Sequence, residues 1–168
     1  MSESFDEYKR RLHGYLGDRD PLEVQSETVE QLRRLIHGRS DETLTRSPAP
    51  GKWSVAQILG HLADGEIVLG YRMRSMLAES GCPIAAYDQA RWAESMRYSE
   101  IPAATSLERF AQLRAWNLAL LSNLSDEEWD RFGVHAERGR ESVRDTARLY
   151  AGHDLNHTMQ IRGILEGS

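Results

Sequence analysis

The stretch "YAGHDLNHTMQ", residues 150–160, places His153 and His157 four residues apart with no proline from there to the end of the chain. Four residues make about one helical turn, so both imidazoles leave the same face of a helix. The pattern starts at Ser142 and runs to about Leu165, with Val143, Ala147, Tyr150, Ile161 and Ile164 on one apolar stripe. His157 falls inside that stripe and His153 at its flank. The pair therefore points into a core or its rim. Buried imidazoles are costly without partners, which can be hydrogen bonds or a metal that takes their lone pairs.

Outward from this helix, the chain reads as three more long helices and some short ones. Residues 1–19 form an N-terminal tail or short helix (Phe5 to Leu16), and residues 20–168 form the bundle domain. Pro21 to His37 is the first long helix, with Pro21 suited to a first turn and Gly38 to a stop. Ser54 and Gln57 make a capping box for the second, which continues to about Glu79. A loop from Ser80 to Ala104 contains a short helix around Asp88 to Arg97. The third helix starts at a Thr105 or Ser106 cap and ends near Asn123. Ser125 opens a brief turn, and "GVHAERGR" (133–140) reads as a glycine-bounded loop. No strand pattern or repeat is evident. The expected fold is all-α, a four-helix bundle with short extra helices. The long connection between the second and third helices leaves room for a crossover.

The net charge of −5 over 168 residues, without a basic block, excludes the usual nucleic-acid binder. No stretch reaches the roughly 20 apolar residues of a membrane span, and "MSESFDEYKR" lacks the order of a signal peptide, so a cytoplasmic protein is expected. The lone Cys82 forms no intrachain disulfide and reads as a spare thiol.

A metal usually needs a third ligand. His13 and His37 sit at helix ends among charges and His135 in a loop, but His61, in "ILGHLADGE", stands beside the apolar stripe of the second helix. Gly65, one turn on, leaves space above its ring. One imidazole from one helix and two from another would make a three-nitrogen facial site for Zn²⁺, Ni²⁺ or Fe²⁺. Core histidines satisfied by hydrogen bonds remain the alternative. "HDLNH" is no zincin motif, because Asp154 stands where the catalytic Glu would be. The Glu-x-x-His pairs of carboxylate-bridged di-iron bundles are missing too.

Three segments together carry a family likeness: "APGKWSVAQILGHLADGE" (Ala49–Glu66), "GVHAERGRESV" (Gly133–Val143) and "GHDLNHTMQI" (Gly152–Ile161). The chain resembles the DinB-like (YfiT-type) metal-binding four-helix bundles across roughly residues 20–165. The resemblance implies a divalent transition metal on His61, His153 and His157, with zinc or nickel favoured over iron, and a homodimer. It also implies a small-molecule enzyme, with transfer of a low-molecular-weight thiol as the leading reaction. The alternatives are a metal-dependent hydrolase, or a non-catalytic, stress-related bundle whose metal is structural.

Candidate pocket residues are Trp53, Arg72, Tyr150 and Asp154, with Tyr87 and Trp92 as further walls. Arg72, on the His61 side of its helix, would hold a substrate carboxylate or else pair with a bundle carboxylate. Asp154 is expected to make a buried hydrogen bond. Asp64 and Glu66 turn away from His61 as supporting or surface groups, His135 is expected to brace its turn, and Arg114 and Asn117 to help close the bundle.

Overall fold

A computed structural model describes residues 3–167. The chain forms α1 (Phe5–Leu16), α2 (Pro21–Ile36), α3 (Asp41–Thr45), α4 (Val55–Ala78), β1 (Cys82–Ile84), α5 (Gln89–Ser95), a 3₁₀ turn at Tyr98–Glu100 and α6 (Ala103–Leu121). It continues with α7 (Asp126–Trp129), β2 (Phe132–His135), β3 (Gly139–Ser142) and α8 (Val143–Glu166). Ser54 and Gln57 close their capping box, and Ser142 forms another with Asp145. Two expected boundaries differ. α6 begins at Ala103, with Pro102 as its N-cap and no side-chain cap, so neither Thr105 nor Ser106 serves. "GVHAERGR" is a hairpin that turns through Ala136–Arg138 into Gly139, whose φ of 77° suits glycine.

The hairpin belongs to a three-stranded sheet in which β1 pairs parallel to β2 and β2 antiparallel to β3. The expectation of no strands therefore fails. Strands of three or four residues are too short to show an alternating pattern.

The bundle is α2, α4, α6 and α8. α4 packs on α6, α6 on α2, α2 on α8 and α8 on α4. Two apolar clusters fix the directions. One holds Leu32, Ile58, Leu59, Leu107, Phe110 and Ile161, and the other Leu69, Met73, Met76, Leu121, Val143 and Tyr150, with Leu22 against it. α4 and α6 thus run from the first cluster to the second, and α2 and α8 the opposite way. The neighbours α4 and α6 are parallel, so their connection must travel the length of the bundle. This is the crossover that the sequence left open.

Between the clusters lies a polar layer. Arg114 of α6, 1% exposed, donates to both oxygens of Asp154 on α8 (2.5 and 3.0 Å), to Glu66 on α4 (2.8 Å) and to the Gln25 carbonyl on α2 (2.9 Å). Asn117 donates to the other Glu66 oxygen at 2.9 Å. Glu66 is therefore buried, where a surface role was among the expectations. α1 packs along α8, close enough that a Cβ on Gly152 would collide with the Leu12 carbonyl.

Two substitutions test this frame. Arg114→Ala leaves two buried carboxylates without their cation and should lower stability by about 3–5 kcal/mol, read from urea unfolding. Gly152→Ala should push α1 off α8 at about 1–3 kcal/mol, with earlier proteolytic cleavage between α1 and α2.

Candidate metal centre

His61 sits in the second turn of α4, where Gly60 admits the Tyr98 ring and Gly65 leaves open space one turn on. His153 and His157 come from adjacent turns of α8. The fold brings all three together. The Nε2 atoms of His61 and His153 are 3.0 Å apart, and those of His157 and His153 3.1 Å. The three nitrogens able to bind an ion lie within 4.8 Å of one another.

Hydrogen bonding alone serves this arrangement poorly. The Nδ1 of His157 lies 2.9 Å from the Gln160 amide oxygen, an acceptor, so Nδ1 carries the proton and Nε2 a lone pair. Only one proton can then act productively among three converging nitrogens. The Nδ1 of His153 is buried with no partner. A divalent cation would take all three lone pairs at once, so the donor set fits a metal with open positions.

Electrostatics keeps the rings neutral. Burial pushes His61 down to about 3 and His157 to about 4, and holds His153 well below the ordinary imidazole range. Asp154 goes the other way, lifted by burial to about 6 against the pull of Arg114.

The Trp53 ring lies 5.1 Å from His61 and Tyr150 5.9 Å from His153, centre to centre. Tyr150, Arg72 and Tyr87 line a narrow cleft of about 60 Å³ that reaches His153; Trp53, Trp92 and Asp154 do not. The hydrogen bond expected of Asp154 goes to Arg114, behind the histidines. Asp64 accepts from the Tyr98 hydroxyl at 2.6 Å. His135 accepts from the Glu137 amide at 3.2 Å, bracing its turn from a strand instead of a loop. His13, expected exposed, is half-buried. Arg72 makes no ion pair with a bundle carboxylate among the described residues and donates to the Ala85 carbonyl at 2.7 Å. Sequence reading missed Phe5 and Tyr8 of α1 and Arg138 of the hairpin, which complete the cleft. The buried Leu12 and Leu16 of α1 were the available signal that this helix packs inward.

A pH dependence follows for the metal-free protein. Unfolded imidazoles take protons near 6.5, whereas folded His61 and His157 do so only at about 3 and about 4, and His153 is likewise held well below the ordinary range. Their stabilising effect is therefore present above about 6.5 and lost as pH falls. Asp154, raised from 3.8 to about 6, contributes stability that is present below about 4 and lost as pH rises through 6. Near pH 5 three protons on unfolded imidazoles stand against one on folded Asp154. Stability should then fall by about 3 kcal/mol per pH unit between pH 6 and 4.5, as measured by urea midpoints across that range.

Comparison with known proteins agrees with this geometry. A family model for the DinB superfamily matches residues 26–161. A protein of Oceanobacillus iheyensis, whose name proposes a metal-dependent hydrolase, is 30% identical over 140 residues, 81% of each chain. A similarly named protein of Geobacillus kaustophilus is 28% identical over 134 residues, 79% of this chain and 75% of that one. YfiT from Bacillus subtilis, described as a probable metal-dependent hydrolase with an unusual four-helix bundle topology, shares the fold at a TM-score of 0.82 and 23% identity, over 99% of this chain and 90% of that one. The mycothiol-dependent maleylpyruvate isomerase shares it more distantly, with a TM-score of 0.65 and 14% identity over 84% of this chain and 59% of that one. With a family model covering most of its length, the chain belongs to the DinB superfamily.

Proposed function

We propose that His61, His153 and His157 bind one divalent transition metal, zinc or nickel in preference to iron, and that the protein is a metal-dependent hydrolase of small molecules. One observation carries this reading: three neutral imidazole nitrogens converge with a single useful proton among them. Held by these three imidazoles, such an ion would supply Lewis acidity to a substrate carbonyl and would lower the pKa of water toward neutrality.

The chain's own residues do the rest. Gln160 orients His157 by accepting from its Nδ1. The Arg114–Asp154 pair fixes the turn of α8 that carries His153. Tyr150 stays a neutral phenol, since burial pushes its pKa upward, and it walls the cleft beside His153. Three protein ligands leave positions for water and substrate, which supports an enzyme over a structural ion.

Hydrolysis is preferred because the cleft is narrow, about 60 Å³, and water needs little of it. The names of the curated relatives support the same class. Transfer of a low-molecular-weight thiol is the second reading, favoured by the fold shared with a mycothiol-dependent enzyme. Thiolates are good ligands for such an ion.

Metal analysis of untagged protein should find about one equivalent of zinc or nickel per chain, the occupancy expected of one three-histidine site, and little in a His153→Ala, His157→Ala double variant. Ester and amide panels should turn over without added thiol. Turnover only when thiol is supplied would select the second reading. No metal, even after divalent ions are added back, would refute both.

A further inference from the structure

Arg72 is 5% exposed, yet its guanidinium faces no carboxylate within ion-pair distance among the described residues. One nitrogen donates to the Ala85 carbonyl at 2.7 Å, and the group lies 5.9 Å from the Tyr87 ring centre. The other buried arginine, Arg114, holds Asp154 and Glu66, and Arg138, which lines the same cleft, forms a two-pronged pair with Glu141 at 2.6 and 2.8 Å. A buried cation without a counter-ion is expensive, and such groups persist where a ligand completes them. The cleft that Arg72 lines also reaches His153, and its wall includes Arg138 and no acidic residue.

Resting on the metal-dependent reading above, we propose that the substrate carries a carboxylate which pairs with Arg72, holding its reactive bond toward the His61, His153 and His157 cluster. The planar fork of a guanidinium matches a planar carboxylate. A slot of about 60 Å³ between tyrosines suits that flat group better than a tetrahedral phosphate. Arg138, already engaged by Glu141, adds positive potential at the rim. Arg72 is then a specificity-determining residue for small carboxylic acids bearing a hydrolysable bond.

The test reads the arginine directly. Protein as purified, with ¹⁵N-labelled arginine side chains, is titrated with propionate, propionamide and inorganic phosphate. The Arg72 Nε–H resonance is assigned by its loss in Arg72→Lys. Propionate should shift this resonance saturably and propionamide should not. Arg72→Gln should weaken propionate binding, followed by saturation-transfer NMR, at least about tenfold. If Arg72→Gln does not fold, the comparison of propionate with propionamide in the wild type decides alone. An unmoved resonance, or an equal response to propionamide, overturns the proposal. Phosphate saturating the resonance below propionate overturns the carboxylate assignment. A protein that lacks metal but still shows the propionate shift refutes the hydrolase reading alone, and a metalloprotein without the shift refutes the carboxylate subsite alone.

Discussion

One guanidinium organises this bundle. Arg114 leaves α6 at mid-height and reaches α8 through Asp154, α4 through Glu66 and α2 through the Gln25 carbonyl. Its ring neighbour is Phe110, 4.6 Å from the guanidinium carbon, so one side of the plane is closed by aromatic carbon. Apolar packing has no strong preference for one axial position, whereas a forked donor with three fixed acceptors does. The four helices are therefore held in one axial register. An apolar replacement of the whole group would suit stability equally well and define that register less sharply.

The histidines inherit their positions from this register. Asp154 follows His153 directly, and Glu66 lies five residues beyond His61, so the clamp and the cluster are neighbouring layers on the same two helices. A slip of α8 against α4 by one turn would separate the Nε2 atoms of His61 and His153 by roughly 5 Å. Holding them at 3.0 Å requires something stiffer than a greasy seam, and the buried ion pairs provide it. The same two helices also supply part of the cleft, Arg72 from α4 and Leu149 and Tyr150 from α8, and α1, the α4–α6 connection and the hairpin close the remainder.

Much of this was legible in the sequence, and the remainder was hidden for physical reasons. The long helices, the Ser54–Gln57 box and the inward set of His61, His153 and His157 follow from the 3.6-residue period, which strengthens with length. β1, β2 and β3 are too short for any period to emerge. Arg114 and Asn117 were expected to help close the bundle, but the partners of Arg114 stayed hidden because a lone arginine on a helix does not name its acceptors. The better signal was collective: Arg114, Asn117, Glu66 and Asp154 all interrupt core stripes at corresponding heights. For Arg72 the sequence left a bundle carboxylate and a substrate carboxylate as alternatives, since a sequence does not show whether a buried cation has a partner within the chain.

The parallel run of α4 and α6 has a kinetic corollary. Up-and-down bundles assemble by docking consecutive helices as hairpins, so their contacts stay local. Here each helix's neighbours include partners far along the chain, as with Gln25 and Ala147, hydrogen-bonded across 122 residues. Loop closure over such spans is entropically opposed and must precede the contacts that reward it. The chain should accordingly fold more slowly than a simple helical bundle of equal length, with the converging histidines of α4 and α8 among the last groups to meet.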